Sequence, residues 1–351
     1  IMIRKEISSH VLTLGTDCRV PKGGVAMVLN SYSNIYEPFR FVATTRHGST
    51  ITKLLTLCKA YVCVLWLCVF GGIEVVHIHG ASYNSFWRKR VFISLVKFLG
   101  KKVVYHIHGG GFRDFTEKNK TAVVKTLHKC DCIVALSDSW RNYFVNELSC
   151  TNVKVIKNIV PSPQIEETEK DEVLHFMILG LVCEQKGIFD LIQAVKRLKE
   201  TVKEKFVLHI GGLGETERLQ REIKENDLTD CVHFEGFVAN SDKVNLLNRC
   251  DFYVLPSYTE GLPISILEAM SYSLPIVSTP VGGIPEVVDD ANGILVQSGD
   301  VDALTSALKK MITDKQMRQS MGERSWQKVQ PHLPENVEKE LTEMYEKLLK
   351  I

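Results

Sequence analysis

Two carboxylates stand eight positions apart in the segment EGLPISILEAM, where Glu260 lies in a loop and Glu268 in a predicted helix. Pro263 marks the start of that helix, because the first turn of a helix tolerates proline. A helix N-terminus presents free N–H groups and a partial positive charge, which suit a diphosphate, and carboxylates accept hydrogen bonds from sugar hydroxyls. The pattern therefore predicts a ligand with hydroxyl and phosphate groups. For the pair taken alone, a solvated glutamate and an acid balancing the helix dipole are the simpler explanation.

Glycine-rich turns follow three other strand-like runs. Gly180 ends the run FMILG, and Lys186 lies just before the next helix, where its ammonium group can bind a phosphate as a point charge. Gly211-Gly212-Leu213-Gly214 resembles half of a dinucleotide-binding fingerprint, but residue 217 is Glu rather than Gly, so the run is weak evidence for NAD. Gly23, Gly24 and Val25 follow the first strand, where glycines permit close approach of the backbone to a ligand.

The histidines cluster as His77-Ile-His79 and His106-Ile-His108, each at the end of a predicted strand. Because side chains alternate along a strand, both members of a pair lie on one face. We expect one member of each pair to pack in the core and the last to lie at a ligand cleft, and the three glycines after His108 favour that residue. Imidazoles are good metal ligands, but a metal would need both members exposed, and Asp300-Val301-Asp302 is predicted as a helix N-cap. No metal is therefore assigned.

The elements that position these residues alternate between strands and helices. Strands are predicted at residues 10–14, 73–78, 103–107, 132–136, 153–156, 174–179, 206–210, 231–234, 252–255, 276–278 and 294–296. Most are continuously apolar, which is typical of parallel strands buried on both faces, and the segments between them change to helical periodicity, as at 188–198 and 304–312. This alternation predicts doubly wound α/β domains. The proline-bearing acidic segment 161–171 is the predicted linker, and two such sheets would leave a cleft at their carboxyl edges.

Composition sets outer limits on the class of protein. The 351 residues suggest two domains, and 45% hydrophobic with 24% charged residues exclude a disordered, collagen-like or polytopic membrane protein. Ten cysteines without Cys-x-x-Cys spacing are expected to be reduced and buried in a cytosolic protein, and no signal-peptide pattern opens the sequence. The apolar segment 54–72 contains Lys59 and is predicted as a buried helix of an α/β layer, with an interfacial helix as the alternative.

The charge is divided unevenly between the two halves. Residues 1–160 hold 22 basic and 9 acidic residues, whereas the remainder holds 21 basic and 32 acidic residues. Between residues 88 and 129, eleven basic residues are opposed only by Asp114 and Glu117, beside Phe86, Trp87, Phe112 and Phe115. This combination predicts docking on an anionic membrane surface, and the alternative is attraction to the acidic half. Nucleic acid is not expected, because aromatic residues do not alternate with the charges as stacking platforms.

Taken together, these segments resemble the retaining glycosyltransferases of the GT-B fold, family 4. The resemblance spans nearly the whole chain and is strongest over 176–304. It is carried by the E-x7-E motif, the run LPIVSTPVGGIPEVV, the Lys186-Gly187 turn, HFEGFV at 233–238, the GGVA loop and the strand-end histidine. It implies two Rossmann-like domains facing across a cleft: an acceptor-side domain at 1–160 and a nucleotide-sugar domain at 172–334. A C-terminal helix at about 335–351 would return to the first domain.

The resemblance also implies roles for individual residues. Glu260 would bind the donor sugar, Glu268 the ribose hydroxyls, Lys186 the diphosphate, and His108 would lie near the reacting sugar carbon. The other donor-binding residues implied are Gly24, Gly180, Gly212, Phe237, Val238, Gly261, Leu262 and Pro263. The acceptor-side residues implied are Gly23, Val25, His79 and Tyr83.

The activity implied is metal-independent transfer of a sugar, with retained anomeric configuration, from a nucleotide-sugar to a glycan or lipid-linked acceptor. Such a protein would act in cell-surface polysaccharide synthesis, in the cytoplasm at the inner face of the membrane, with no cofactor. One departure is Leu181, which stands where many members carry arginine. It supports the alternative of an inactive sugar-nucleotide-binding or scaffold subunit, whereas an NAD-dependent oxidoreductase would need the complete glycine fingerprint.

Overall fold

The computed structural model describes residues 2–19, 24–109, 111–166 and 172–351, which form two compact units. Unit 1 comprises Ile1–Pro161 and Pro331–Ile351, and unit 2 comprises Ser162–Gln330. Residues 162–166 of the predicted linker pack on unit 2, where the Glu166 N–H donates to Asn248 Oδ1 at 3.1 Å. Residues 167–171 of that linker lie outside the described residues.

Each unit contains one six-stranded sheet in which every adjacent pair of strands is parallel. In chain order the strands are β1 (Val11–Thr16), β2 (Phe41–Thr45), β3 (Val75–Gly80), β4 (Lys102–Ile107), β5 (Cys132–Ala135), β6 (Val153–Val155), β7 (Leu174–Leu179), β8 (Phe206–Gly211), β9 (Val232–Gly236), β10 (Phe252–Leu255), β11 (Ile276–Ser278) and β12 (Gly293–Leu295). Their order is β2-β1-β3-β4-β5-β6 in unit 1 and β12-β11-β10-β7-β8-β9 in unit 2. The predicted pair of doubly wound domains is confirmed.

Helices connect the strands and cover both sheets. They are α1 (Lys5–Ser8), α2 (Gly24–Ser33), α3 (Thr50–Phe70), α4 (Asn84–Phe98), α5 (Phe112–Leu127), α6 (Asp138–Asn142), α7 (Ile188–Thr201), α8 (Thr216–Glu225), α9 (Asn240–Arg249), α10 (Ile264–Ser271), α11 (Val301–Thr313), α12 (Lys315–Val329) and α13 (Pro334–Leu349). The predicted apolar stripes of α7 and α11 are buried, and Asp300 caps α11 by accepting from the Ala303 N–H at 2.9 Å, as predicted.

Strand β2 is the one strand of the described residues that the sequence pattern did not predict. It lies at the edge of the sheet of unit 1, and of its five residues only Thr44 is buried. An edge strand with half-buried side chains lacks the continuous apolar run of a central parallel strand, so its sequence FVATT gives no distinctive signal.

Helix α3 is where the predicted and observed folds differ most. The prediction of a buried helix is wrong, because only Ala60, Val64 and Cys68 are buried, whereas Val62 is 64% and Trp66 58% exposed. The helix packs on the edge strand β2 and on α4, so one narrow stripe is sufficient to attach it. All ten cysteines are free, and seven of them are buried as predicted, whereas Cys63 and Cys183 are half-buried and Cys58 is exposed.

The basic stretch 88–129 is less accessible than its composition suggests. Lys89, counted in that stretch, is buried and donates to the Thr44 hydroxyl. Lys97 and Lys102 both pair with Asp131, at 2.8 and 3.3 Å. The charge that unit 1 can offer to an external partner is therefore smaller than the sequence count, because part of it is used inside the fold.

Four histidines form a stacked array in unit 1. His77 and His79 on β3, His106 on β4 and His108 just after β4 have neighbouring ring centroids 4.3–5.4 Å apart. They share one face of the sheet, as alternation predicts, and all four are buried. Core packing therefore extends to both members of each pair, and the position of His108 at a ligand cleft stays a prediction. Two helices cover the array: the Tyr32 ring of α2 lies 5.1–6.2 Å from the rings of His77, His79 and His106, and the Tyr345 hydroxyl of α13 lies 2.5 Å from His77 Nδ1.

Burial lowers the pKa of every imidazole in the array. The pKa of His77 falls to about 3 and that of His108 to about 4, and those of His79 and His106 fall well below the usual value. Both ring nitrogens of His106 lack a hydrogen-bond partner among the described residues. Between pH 6.5 and 4 the unfolded chain therefore binds protons that the native array excludes, so stability falls as the pH falls through this window.

His106→Leu should flatten that pH dependence. The substitution removes a buried ring without hydrogen bonds, so we expect the free energy of unfolding at pH 7 to be unchanged or higher. The decline from pH 6.5 to 4 should be smaller by up to about 1.4 kcal/mol per pH unit, the equivalent of one proton. Urea denaturation at a series of pH values measures both quantities. The control is His47→Leu at an exposed position of the same unit, and a pH slope identical to that of the wild type would contradict the argument.

Candidate functional site

Apart from Gly24, which belongs to unit 1, the predicted donor-binding residues lie at one edge of unit 2. Because all strands of the sheet are parallel, the loops that follow β7, β8, β9 and β10 emerge at the same edge. Gly180, Gly212, Phe237 and Glu260 lie in these four loops. The strand order changes direction between β7 and β10, and such a switch point is where open α/β sheets bind their ligands.

Glu260 is held at the switch point by two donors. The Lys186 ammonium lies 2.5 Å from Glu260 Oε1, and the Ser257 hydroxyl donates to the same oxygen at 2.7 Å. Within the described parts of the chain the second oxygen, Oε2, accepts no hydrogen bond. Gly187, with φ of 66°, makes this approach possible, because a Cβ there would lie 2.1 Å from the Pro256 carbonyl oxygen.

Glu268 is paired in the same way by a residue that the sequence analysis missed. Its side chain is 6% exposed, and Oε1 lies 2.5 Å from the Lys243 ammonium of α9. No motif marks Lys243, which lies in an otherwise ordinary polar helix. The sequence contains only indirect evidence for such a lysine. A carboxylate inside the apolar helix α10 requires a cation, because an unpaired buried charge is very costly.

The N-terminus of α10 lies beside these two carboxylates. Pro263 precedes the helix and none of the described side chains caps it, so the N–H groups of the first turn remain available as donors. The loop from Glu260 to Leu262 is supported from below by the Gly282-Gly283 turn, in which the Gly283 N–H donates to the Gly261 carbonyl at 2.6 Å. A Cβ at Gly282 would lie 2.1 Å from the Glu260 carbonyl oxygen, which explains the paired glycines of the VGGIPE run.

The remaining predicted donor-side residues form the walls of this edge. Gly180 and Gly212 are in backbone contact, since a Cβ on Gly212 would lie 1.7 Å from the Gly180 carbonyl oxygen. Phe237 is 60% exposed after β9, and the side chain of Val238 packs over Gly211. Leu181, at the position expected for arginine, is 55% exposed and offers no charge to a ligand.

The described acceptor-side residues Val25, His79 and Tyr83, and the predicted donor-binding Gly24, lie at the carboxyl edge of the sheet of unit 1. His79 Nδ1 is 2.9 Å from His108 Nε2, and Gly24 and Val25 begin α2 after β1. Tyr83 is 55% exposed before α4, with φ of 53° and ψ of −130°, a strained backbone of the kind that clusters at functional sites. Gly23 lies outside the described residues.

Among the residues that the structure describes, two groups of side chains could hold a metal ion. The first is His77, His79 and His106 in the buried array, and the second is His209, His233 and Glu235 in unit 2. In each group the potential ligand atoms lie within 4.8 Å of one another. Neither group contains Glu260, Glu268 or a lysine paired with them, so the absence of a metal requirement stays a prediction.

Comparison with known proteins places both units in described families. The Glycosyltransferase Family 4 model matches residues 4–162, and the Glycosyl transferases group 1 model matches residues 162–328. The amylovoran biosynthesis glycosyltransferase AmsK of Erwinia amylovora is 28% identical over 226 residues, which are 60% of this chain and 55% of AmsK. The capsular polysaccharide biosynthesis glycosyltransferase CapM of Staphylococcus aureus is 28% identical over 200 residues, or 53% of this chain and 52% of CapM. The chain thus spans about half the length of these curated relatives.

Solved structures share the fold over almost the whole chain. Sucrose-phosphate synthase of Thermosynechococcus elongatus superposes with a TM-score of 0.76 at 16% identity, covering 97% of this chain and 99% of that protein. HepE of Anabaena, in complex with UDP, superposes with a TM-score of 0.73 at 18% identity, covering 97% and 100%. With the two family models, which together extend from residue 4 to residue 328, this similarity identifies the chain as a member of the GT-B glycosyltransferases, with a Family 4 domain followed by a group 1 domain.

Proposed function

We propose that this protein transfers a sugar from a nucleoside diphosphate sugar to a glycan or lipid-linked acceptor during cell-surface polysaccharide synthesis. One observation carries the proposal: two carboxylates, Glu260 and Glu268, are each fixed by a lysine beside the open N-terminus of α10. These groups match the parts of such a ligand. The carboxylates can accept hydrogen bonds from the hydroxyls of the sugar and the ribose, and the lysine and the helix N-terminus supply positive charge for the diphosphate.

Each paired carboxylate keeps one oxygen for the ligand. Lys243 occupies Oε1 of Glu268, so Oε2 can accept from the ribose hydroxyls. Lys186 occupies Oε1 of Glu260 and still has two N–H groups to donate, because an ammonium group carries three. It therefore connects the carboxylate that binds the sugar to the phosphate that leaves with the nucleotide, and the first-turn N–H groups of α10 add to the stabilisation of that leaving group.

The relatives support this class of reaction and this class of donor. AmsK and CapM are named as glycosyltransferases of amylovoran and capsular polysaccharide biosynthesis, and the structures of HepE contain UDP, or UDP and glucose. We propose retention of the anomeric configuration without a metal or other cofactor, with the charge of the diphosphate met by Lys186 and α10. We also propose a cytoplasmic protein bound peripherally to the inner face of the membrane, where a lipid-linked acceptor is accessible to unit 1.

A second candidate function is a sugar-nucleotide-binding subunit without activity, which the exposed Leu181 favours. A donor screen separates the two. Thermal shift with UDP-, GDP- and ADP-sugars should show one class that stabilises the protein, by about 2.7 kcal/mol at 100 times its Kd. Slow release of free sugar from that donor would establish the enzyme, whereas binding without hydrolysis or transfer would support the inactive subunit.

Glu268→Ala should weaken the binding of the free nucleoside diphosphate as well as of the nucleotide-sugar. The loss of two charge-assisted hydrogen bonds corresponds to about 2–4 kcal/mol, measured by titration calorimetry. Lys243→Met should weaken the same binding, because it removes the cation that holds the carboxylate. Unchanged nucleotide affinity in a folded Glu268→Ala protein would refute the ribose assignment.

Glu260→Ala should have a different profile, because its proposed partner is the transferred sugar. We expect nucleoside diphosphate affinity to be preserved and donor turnover to fall. The matched control is Ser257→Ala, which removes only the weaker of the two groups that hold Glu260 and should lower turnover less. A loss of nucleotide binding in Glu260→Ala equal to that in Glu268→Ala would contradict the division of roles.

His108 is proposed to act on the transfer step from unit 1. Because burial lowers its pKa to about 4, the ring is neutral near pH 7, and protonation of His108 should not limit activity above about pH 5. His108→Ala and His108→Gln should lower kcat with little change in the donor KM. If His108 is only structural, both variants will melt earlier while the remaining folded molecules keep full activity.

A further inference from the structure

An apolar surface covers two neighbouring helices of unit 1. Twelve of the 22 large apolar side chains exposed among the described residues lie on α3 and α4, so the exposure is concentrated rather than scattered. They are Ile51, Leu54, Leu55, Tyr61, Val62, Leu65, Trp66, Val69 and Phe70 on α3, and Trp87, Val91 and Phe98 on α4. A contiguous exposed apolar patch of this kind is typical of a surface that binds another protein or a membrane. We call these twelve residues the α3–α4 surface.

Helix α3 is apolar on two opposite faces. Ala60, Val64 and Cys68 recur at intervals of four residues and pack into the core of unit 1. Val62, Trp66 and the other exposed residues lie mainly on the opposite side, where 39–73% of each side chain is exposed. A helix that is hydrophobic all round requires a partner on each side, and among the described residues only one side of α3 has one.

The charge around the α3–α4 surface indicates which kind of partner covers it. Neither α3 nor α4 contains an acidic residue, and Lys53, Lys59 and Arg90 form no ion pair within the described residues. The Arg90 guanidinium lies over the Trp87 ring, 5.4 Å from its centroid. Basic residues interleaved with tryptophan and aliphatic side chains are the composition with which peripheral proteins bind an anionic lipid interface.

We infer that the α3–α4 surface inserts into the cytoplasmic leaflet of an anionic phospholipid bilayer, with α3 lying parallel to the membrane plane. Helix α3 has the length and hydropathy of a membrane span. The stripe of Ala60, Val64 and Cys68 nevertheless ties it to the core along half its length, and Lys59 lies midway, so insertion leaves the fold of unit 1 intact. A second copy of the chain fits less well, because a symmetric contact would bring these basic surfaces together.

This inference rests on the proposed peripheral location and not on the transfer reaction. It assigns the main contact to α3 and α4 instead of the whole basic stretch 88–129, in which Lys89, Lys97 and Lys102 are used inside the fold. An open groove of about 540 Å³ between the two helices, lined by Tyr61, Trp87 and Phe98 among others, adds apolar area to the inserted surface.

Co-sedimentation with vesicles tests the inference. The wild-type protein should pellet with phosphatidylcholine vesicles that contain about one-third phosphatidylglycerol, and much less with phosphatidylcholine alone. The apolar variant Leu55→Ser/Val62→Ser/Trp66→Ser should lower the partition coefficient about tenfold or more. The charge variant Lys53→Gln/Lys59→Gln/Arg90→Gln should lower it about 100-fold at low salt, since each basic residue contributes about fivefold.

A matched control and a depth probe sharpen the result. Trp326→Ser changes an exposed tryptophan of unit 2 and should pellet like the wild type. Brominated lipids should quench the tryptophan fluorescence of the wild type and of Trp326→Phe, and much less that of Trp66→Phe/Trp87→Phe, because Trp66 and Trp87 are the two tryptophans of the α3–α4 surface. Thermal shift with nucleotides, measured without vesicles, should be the same in every variant, so that a failure of donor binding is scored separately from a failure of membrane binding.

Three outcomes would overturn the inference. The first is no pelleting of the wild type with anionic vesicles at low salt. The second is equal pelleting of the wild type and the apolar variant, both with unchanged melting temperatures. The third is a wild-type dimer in light scattering that the apolar variant dissociates, which would assign the α3–α4 surface to a second copy of the chain.

Discussion

A carboxylate buried in an apolar helix must have a cation, and this constraint organises the edge of unit 2. Glu268 lies on α10 among buried residues and is neutralised by Lys243, which belongs to a different helix. Glu260 at the other end of the same segment is held by Lys186, which follows a different strand. Without the two lysines the carboxylates would destabilise the fold by leaving charges unpaired, so the pairs bring the loops after β7 and β10 and helix α9 to one place.

The same pairs prepare the site for a ligand. Because each lysine uses one carboxylate oxygen, the second oxygen remains available as an acceptor, and none of the described side chains caps the first-turn N–H groups of α10. Preorganised donors and acceptors require little rearrangement when a ligand binds. Three glycines allow the loops of the site to pack this closely. At Gly187, Gly212 and Gly282, a Cβ would collide with a backbone carbonyl of the neighbouring loop.

The fold class could be predicted from the sequence, because continuous apolar runs indicate parallel strands. The meeting of the glycine loops and the E-x7-E segment at one sheet edge could also be predicted, because parallel strands all end at the same edge. The sequence was insufficient where tertiary packing decides. Lys243 has no motif, β2 has no apolar run, and the four histidines follow the predicted alternation but are buried by tertiary packing, including that of α2 and α13. Helix α3 shows the limit most clearly, since apolar composition alone cannot separate a helix buried in protein from one with an exposed apolar face.

The central claim is that the N-terminus of α10 and its two paired carboxylates bind a nucleoside diphosphate. Amide hydrogen exchange, measured by mass spectrometry with and without UDP, GDP or ADP, tests it directly because the proposed donors are backbone N–H groups. The account predicts that one of the three nucleotides slows exchange in the peptide covering residues 260–268 and in the peptide that contains Lys243. Unchanged exchange in both peptides with all three nucleotides, or protection confined to the glycine loop at 211–214, would contradict it.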